Sequence, residues 1–211
     1  MAEIYLVDGS SIVYRSFYAI GKLKTSTGIQ TNAIFGFFNT LFKFIKEYKI
    51  QYIGIFFDLK EPTLRHKKFQ DYKIKRKPMP DELSSQIPII KEILQHMGIK
   101  YFEIPGYEAD DIIATFTEKF KNQHKVFIIT GDKDALQLLN ENVKVINPAN
   151  GEIKDIEYLK NKYNLTPEKI TDLLALAGDT SDNIPGIPGI GEKTALKLLS
   201  KFSSLEDLYN N

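Results

Sequence analysis

Three stretches with the apolar pattern of β-strands each lead into aspartates. The strand candidates and their acids are residues 4–7 with Asp8, residues 52–57 with Asp58, and residues 126–130 with Asp132 and Asp134. Open α/β sheets bind ligands at the carboxyl ends of their strands, so these acids converge if the strands are parallel neighbours. Carboxylates that converge repel one another unless cations lie between them. The pattern therefore predicts a cation site at the edge of a sheet.

Two further acidic groups extend the candidate site. Glu108 and Asp111 are three residues apart and share a helical face, with Asp110 near the same helix end. Asp179 and Asp182 repeat this spacing in a polar loop. Any one of these acids could be a surface residue, a helix cap or a favourable charge at a helix N-terminus. Because Mg²⁺ takes only one or two protein carboxylates directly, nine acids predict two ions and metal-dependent phosphoryl chemistry.

A basic segment accompanies these acids. Residues 60–77 contain eight basic and two acidic residues, a net charge of +6 in a chain whose total is +1. The segment has too few apolar residues to belong to the core, so we interpret it as a mobile, partly helical crossover above the strand ends. The alternative is a solvated surface loop. A basic segment beside an acidic, metal-loaded pocket suits a polyanionic substrate with a scissile phosphodiester.

Composition excludes several other site chemistries. The chain of 211 residues has no cysteine, which removes disulfides, thiolate metal sites and a cysteine nucleophile. Its three histidines lie in unrelated contexts, so neither zinc-hydrolase spacing nor a Ser-His-Asp triad is supported. We find no apolar run long enough to span a bilayer and no signal peptide, and we therefore expect a cytoplasmic protein without membrane contact.

Strand and helix patterns alternate over the first 150 residues and predict an α/β fold with a mostly parallel central sheet flanked by helices. Helices are predicted at residues 31–48, 81–97 and 108–120, a helical turn at 135–139, and further strands at 101–104 and 143–146. Pro88 should kink the second helix or delay its start. From Asp155 the pattern is helical. We therefore predict an α/β core at 1–150, which includes a basic segment at 60–80, and a helical subdomain at 151–211.

A glycine-rich turn precedes the amphipathic pattern near residue 195. Gly186, Gly189 and Gly191 can expose backbone N–H groups at a helix N-terminus, where a phosphate is held without reading base sequence. The spacing resembles a P-loop, but Glu192 stands where a P-loop has lysine, and no strand precedes the turn. An NTPase is thereby excluded. The alternative to phosphate contact is an ordinary connection between two helices.

Six motifs together resemble the 5′ nuclease family, in particular the 5′ nuclease domain of bacterial DNA polymerase I. They are Leu-Val-Asp-Gly at 6–9, Phe-Asp at 57–58, Arg-His at 65–66 with Tyr-Lys-Ile-Lys-Arg at 72–76, Gly-Tyr-Glu-Ala-Asp-Asp at 106–111, Thr-Gly-Asp-Lys-Asp at 130–134, and Gly-Asp-Thr-Ser-Asp-Asn-Ile-Pro-Gly at 178–186. They occur in family order over nearly the whole chain. The resemblance implies a PIN-like 5′ nuclease fold with a basic helical arch and a C-terminal helix-hairpin-helix.

The resemblance also implies an activity and a cofactor. The activity is structure-directed removal of 5′ flaps and RNA primers, with DNA carrying 5′ flaps or nicks and RNA–DNA hybrids as substrates. The cofactor is two Mg²⁺ or Mn²⁺ ions. The first ion is implied to lie among Asp8, Asp58, Glu108, Asp110 and Asp111. The second is implied to lie among Asp132, Asp134, Asp179 and Asp182.

Further roles are implied for the arch and the hairpin. Lys73 and Arg76, three residues apart on one helical face, match the family's basic residues that reach the scissile phosphate. The hairpin resembles one that grips duplex DNA and holds a potassium ion through backbone carbonyls. We expect the remaining DNA contacts from Lys67, Lys68, Tyr72, Lys75, Lys77, Gly186, Gly189, Gly191, Lys193 and Thr194.

The chain departs from the family pattern at its C-terminal end. Family members continue for several helices beyond the hairpin, whereas this chain stops at Asn211. We expect a truncated piece, a fragment of a polymerase or a naturally short protein. A polymerase module could lie in the same or a separate chain.

Two alternative functions are a non-catalytic binder of branched DNA and a metal-dependent RNase. The complete set of acids disfavours the first, and the hairpin disfavours the second.

Overall fold

A six-stranded sheet forms the centre of the molecule. Its strands are β1 (Glu3–Asp8), β2 (Tyr52–Phe56), β3 (Lys100–Phe102), β4 (Lys125–Ile129), β5 (Val143–Ile146) and β6 (Ile153–Lys154). In this computed structural model, which describes residues 1–211, the strand order is β3-β2-β1-β4-β5-β6. Only β6 is antiparallel to its neighbour. The three strands that lead into aspartates, β2, β1 and β4, are parallel neighbours, which confirms the predicted mostly parallel sheet.

Helices cover both faces of the sheet. They are α1 (Gly9–Ala19), α2 (Asn32–Tyr48), α3 (Leu64–Lys68), α4 (Asp81–Ser84), α5 (Gln86–His96), α6 (Ala109–Phe120), α7 (Ile156–Tyr163), α8 (Lys169–Ala177), α9 (Glu192–Leu199) and α10 (Leu205–Tyr209). Side chains alternate across β1, so Tyr5 and Val7 pack among α1, α2 and α5. Leu6 points the other way and packs among α6, α8 and α9. A sheet buried on both faces needs apolar residues at successive positions.

Helix α1 was not predicted from the sequence. It begins directly after β1 because the Asp8 carboxylate accepts a hydrogen bond from the Ser11 N–H and caps the first turn. Ile12 and Val13 then pack into the core. The serines that open the helix have only modest helix propensity, and packing against α2 and the sheet outweighs that local preference.

The predicted helix at 81–97 is two helices. Helix α4 ends at Ser84 and α5 begins at Gln86, so Pro88 lies in the first turn of α5. A proline fits there because the first N–H groups of a helix have no partner within it. The predicted helix is therefore interrupted at Ser85, and its second part starts two residues before the proline.

Only the first part of the basic segment is helical. Helix α3 covers five residues, and those that follow form turns in which Lys73 has a φ of 57°. Left-handed backbone at Lys73 ends any helical register. Lys73 and Arg76 therefore do not share a helical face, and that prediction is wrong.

The C-terminal helices share a core with the sheet. Leu159 of α7, Leu173 of α8 and Leu199 of α9 belong to the same buried cluster as Ile112 of α6. The division of the chain at residue 150 stays a prediction. Strand β6 lies beyond this position, and buried residues from both sides of it belong to one cluster. None of the helices is both long and apolar enough to cross a membrane.

Candidate active site

Asp8 is held rigidly at the end of β1. One carboxylate oxygen accepts the Ser11 N–H at 2.9 Å, and the other accepts the Thr130 hydroxyl at 2.8 Å. Asp8 is only 5% exposed. Burial raises its pKa from 3.8 to about 6, although these hydrogen bonds oppose the change, and the charges of Asp58 and Asp132 add to it. The Asp8 carboxylate is therefore fixed in place, and its negative charge is not balanced by a neighbouring cation.

The N-terminus of α6 places Asp110 near Asp8 and Asp58. The Ala109 N–H donates to the Asp58 carboxylate at 2.8 Å, which connects the end of β2 to this helix. Burial raises the pKa of Asp110 to about 8, and the charges of Asp8, Asp132 and Asp58 raise it further. The four acids thus interact electrostatically. At neutral pH a cation would relieve their repulsion.

The loops after β4 and α8 supply the rest of the acids. The Asp132 carboxylate accepts the Asp134 N–H at 2.9 Å, and that of Asp179 accepts the Ser181 N–H at 2.8 Å. Burial raises the pKa of Asp134 to about 6, with further contributions from Asp132, Asp179 and Asp182. Asp132 raises the pKa of acids in both groups, so it lies electrostatically between them.

Three of the predicted metal ligands are paired with cations of the basic segment. The Arg65 guanidinium binds both carboxylate oxygens of Asp111, each at 2.7 Å. Lys73 Nζ lies 2.9 Å from Glu108 Oε1, and Arg76 binds Asp182 at 2.5 Å. Burial opposes ionisation of Asp111, but the Arg65 hydrogen bonds, the Glu108 N–H and the charges of Arg65 and Lys73 together lower the pKa of that carboxyl. Six acids remain without an ion pair to the segment: Asp8, Asp58, Asp110, Asp132, Asp134 and Asp179.

The donor set matches hard divalent cations, because it offers only carboxylate oxygens under mutual repulsion. No three of the acids are arranged as direct ligands of one ion. Mg²⁺ tolerates such spacing because it keeps several of its waters, and outer carboxylates then accept hydrogen bonds from those waters. A cavity of about 560 Å³ is lined by six of the nine acids and by apolar residues that include Ile113, Ile128, Leu138 and Leu174.

Tyr72 lies inside the site rather than on its surface. It is 5% exposed, and its hydroxyl lies 2.9 Å from Glu108 Oε2 and 2.8 Å from Asp182 Oδ2. The hydroxyl has one hydrogen, so it donates to one carboxylate at a time. Burial and these two acids raise its pKa. The expected contact with DNA is thus replaced, in this structure, by a contact with the acids.

Four other basic residues of the segment are free for a polyanion. Lys67, Lys68, Lys75 and Lys77 are exposed, and none of them forms an ion pair. Lys193 and Thr194, at the start of α9, are exposed as well. These six side chains remain predicted DNA contacts.

The three hairpin glycines differ in their surroundings. A Cβ on Gly186 would lie 2.4 Å from the backbone carbon of Ala177, so this glycine is required for close packing against the end of α8. Gly189 has a φ of 82°, and no atom would lie within 4 Å of a Cβ there or at Gly191. Only Gly189 and Gly191 therefore leave open space for a phosphate.

Two supporting residues were missed by sequence reasoning. Thr130 orients Asp8, and it could have been suspected from its position at the end of a strand. Asn183 has a φ of 57°, and its side-chain amide donates to the backbone carbonyl of Asp71 at 2.9 Å. No local pattern connects residues so far apart in sequence.

Two family descriptions together match nearly the whole chain. The description "5′-3′ exonuclease, N-terminal resolvase-like domain" matches residues 3–166, and "5′-3′ exonuclease, C-terminal SAM fold" matches residues 165–211. The chain belongs to the 5′-3′ exonuclease family. The predicted resemblance is thereby confirmed, and the helices from α8 onward are assigned to a SAM-like fold.

Relatives in this family include free-standing and polymerase-linked proteins. The chain is 50% identical to a 5′-3′ exonuclease of Aquifex aeolicus over 212 residues, which is all of this chain and 73% of that protein. It is 44% identical to DNA polymerase I of Caldicellulosiruptor bescii over 99% of this chain. That match covers 25% of the polymerase, so the chain spans about a quarter of the length of its polymerase relatives.

Solved structures share the fold at lower identity. The T5 5′-exonuclease with bound zinc ions has a TM-score of 0.81 and 22% identity, over 99% of this chain and 78% of that one. The catalytic core of Rad2 in complex with a DNA substrate has a TM-score of 0.68 and 22% identity, over 99% of this chain and 61% of that one. These likenesses confirm the exonuclease-family fold of a mostly parallel sheet flanked by helices.

Proposed function

We propose that this protein is a divalent-metal-dependent 5′-3′ exonuclease and 5′-flap endonuclease that hydrolyses phosphodiester bonds in DNA. One observation carries the proposal: a buried cluster of repelling carboxylates at the strand ends is contacted directly by a segment rich in exposed cations. The acids hold cations, and the basic segment holds the phosphate backbone. Membership of the exonuclease family and the DNA and divalent metal ions bound by structural relatives support this assignment.

We assign the acids to two sites on electrostatic grounds. Asp8, Asp58 and Asp110 would hold one Mg²⁺ or Mn²⁺, and Asp134, Asp179 and Asp182 would hold a second, with Asp132 between them. Two bound ions supply the charge that activates the attacking water and stabilises the departing oxygen. Asp111 would instead anchor Arg65, since both of its oxygens bind that guanidinium. Glu108 would share its charge between Lys73 and the first ion.

The basic residues provide the remaining chemistry. Lys73 and Arg76 lie at the boundary between the acids and the exposed segment, where a phosphate approaching from the segment first meets the cluster. Their charge would stabilise a phosphate that carries extra negative charge in the transition state. Lys67, Lys68, Lys75 and Lys77 would bind neighbouring phosphates without sequence preference.

The hairpin would bind the duplex at a distance from the reaction. Gly189 and Gly191 leave backbone N–H groups accessible at the start of α9, beside Lys193 and Thr194. A potassium ion held by hairpin carbonyls belongs to the same proposal. The proposed substrates are DNA with 5′ flaps or nicks and RNA primers in hybrids. The proposed role is primer removal and repair beside a polymerase module in the same or a separate chain, in the cytoplasm.

A flap-cleavage assay tests the proposal. A duplex with a labelled 5′ flap is incubated with the protein in Mg²⁺, in Mn²⁺ or in EDTA, and we expect cleavage only with a metal ion. Asp110→Asn should abolish cleavage, whereas the exposed control Glu141→Gln should retain it. Binding of the flap without cleavage under every metal condition would favour the non-catalytic alternative. Faster cleavage of unstructured RNA than of flap DNA would favour the RNase alternative.

A further inference from the structure

The basic segment is attached to the molecule at two places. At its start, the Leu64 N–H donates to the Gly106 carbonyl at 2.9 Å, and Arg65 binds Asp111. At its end, residues 71–76 contact residues 181–183 of the loop after α8. The second attachment joins parts of the chain more than 100 residues apart, and it lies directly beside Lys73.

The second attachment includes three hydrogen bonds to backbone carbonyls, which we name the clasp, and side-chain contacts of Tyr72 and Arg76 with the Asp182 carboxylate. The Asn183 amide donates to the Asp71 carbonyl at 2.9 Å, and the Lys73 N–H donates to the Asp182 carbonyl at 2.9 Å. Arg76 Nε donates to the Ser181 carbonyl at 3.3 Å. Every acceptor in the clasp is a backbone carbonyl, so these three bonds act on the path of the backbone.

The clasp holds Lys73 in a conformation that lysine does not favour. Its φ is 57°, in the left-handed region where a side chain crowds the following carbonyl. Such a conformation persists when surrounding contacts determine it. With its backbone held in this way, Lys73 places its Nζ 2.9 Å from Glu108 Oε1.

The side chain of Asn183 serves the clasp and not its own loop. That loop closes independently, because the Asp179 N–H donates to the Ile184 carbonyl at 3.0 Å and the Ile184 N–H donates back at 2.8 Å. Asp179 also accepts from Ser181 within the loop. Asn183 itself has a φ of 57°, a conformation that asparagine tolerates better than most residues. Loss of its amide therefore weakens the attachment of the basic segment and leaves the loop closed.

We propose that Asn183 is a positioning residue for the reaction: it clasps the basic segment through the Asp71 carbonyl and thereby sets the place of Lys73. The proposal rests on the proposed nuclease function for its effect on rate, whereas the clasp itself is testable without any substrate. It assigns a role to a residue that contacts neither the acids nor the exposed cations by its side chain.

Limited proteolysis of the metal-free protein tests the clasp. Asn183→Gly keeps the left-handed backbone accessible and removes only the amide. Loss of one hydrogen bond should raise the population of the detached basic segment about fivefold. Trypsin cuts the detached form, so cleavage within residues 73–77 should be about five times faster in the variant. The matched control is Asn164→Gly, because Asn164 has a φ of 54°, is exposed and makes no side-chain hydrogen bond. Its cleavage rate should equal that of the wild type.

Single-turnover cleavage of flap DNA tests the positioning role. At saturating substrate Asn183→Gly should lower the rate about fivefold with little change in Kd, and the effect should disappear in a Lys73→Ala background. Asn183→Asp, which keeps the side-chain volume but has no hydrogen to donate, should behave in the same way. It takes the place of the glycine variant if that variant does not fold.

Three results would overturn the inference. The first two are tryptic cleavage that is unchanged in both Asn183 variants, and a rate loss of the same size with and without Lys73. Accelerated proteolysis with an unchanged single-turnover rate would also reject the positioning role. If the wild type cleaves no flap substrate, the proposed function fails, and the tryptic rates alone still decide whether the clasp exists.

Discussion

Replacing Asp110 by asparagine should make the metal-free protein more stable at pH 8 while removing its nuclease activity. Burial, together with the charges of Asp8, Asp132 and Asp58, raises the pKa of Asp110 from 3.8 to about 8. The folded state therefore keeps a proton that the unfolded state releases above about pH 4. Asparagine has nearly the same shape and carries no charge at any pH.

The sign and size of the effect follow from this difference in proton binding. A raised pKa contributes stability that is fully present below about pH 4 and is lost as the pH rises towards 8. One group loses at most about 1.4 kcal/mol per pH unit within that window. Relaxation around a buried charge reduces the total, so we expect a loss on the order of a few kcal/mol. In a chain of this size that corresponds to about 5–10 °C in Tm.

The assay is thermal unfolding in EDTA at pH 5, 6, 7 and 8, followed by circular dichroism. The Tm of Asp110→Asn should exceed that of the wild type at pH 8, and the difference should shrink towards pH 5. Asp111→Asn is the control on the next residue of the same helix. Burial opposes its ionisation, but Arg65, Lys73 and the Glu108 N–H together lower its pKa. Its charge therefore stabilises the fold above pH 4, and the variant should be less stable at pH 8.

Three results would refute this reasoning about the acid cluster. The first is an Asp110→Asn protein that is no more stable than the wild type at pH 8. The second is a stabilisation of equal size at pH 5 and pH 8, since the effect would then not come from ionisation. The third is a gain in stability for Asp111→Asn like that for Asp110→Asn. Asp110 and Asp111 would then affect stability in the same way, although their pKa values are shifted in opposite directions.

Four further predictions concern the metal ions, the basic segment and the hairpin. Mg²⁺ at pH 8 should raise the Tm of the wild type more than that of the Asp110→Asn variant, because binding to the folded state stabilises it and the variant lacks one donor. Lys73→Ala should lower the single-turnover rate about 100-fold or more, as for comparable transition-state donors, whereas Lys68→Ala should mainly weaken binding. Equal rate losses would remove any special role for Lys73. Gly186→Ala should lower the free energy of unfolding by about 1–3 kcal/mol, since its Cβ would overlap backbone atoms of Ala177, and Gly191→Ala should leave it unchanged in chemical denaturation. Gly189→Val and Gly191→Val should raise the Kd for two flap duplexes of unrelated sequence by a similar factor at fixed salt, and unchanged affinity would make the hairpin a structural connection only.

Local sequence patterns determined the sheet and its chemical edge. Apolar runs that lead into Asp8, Asp58 and Asp132 predicted strands whose carboxyl ends carry acids, and alternation with helices predicted that the strands are parallel. The strand pattern and the strand–helix alternation both depend on the spacing of residues that are close together in the chain. Such spacing can be read directly from the sequence. The charge of the basic segment and the hairpin glycines were evident for the same reason.

Only the tertiary structure decided how these parts work together. It placed the Tyr72 hydroxyl between Glu108 and Asp182, paired Arg65 with Asp111, and separated Gly186, packed against backbone, from its open neighbours. It also replaced the predicted helical face of Lys73 with a left-handed turn. The contacts of Tyr72 and Arg65 join residues between 36 and 110 positions apart. No local periodicity encodes such pairs, because they form only when the sheet and its helices bring distant segments into contact.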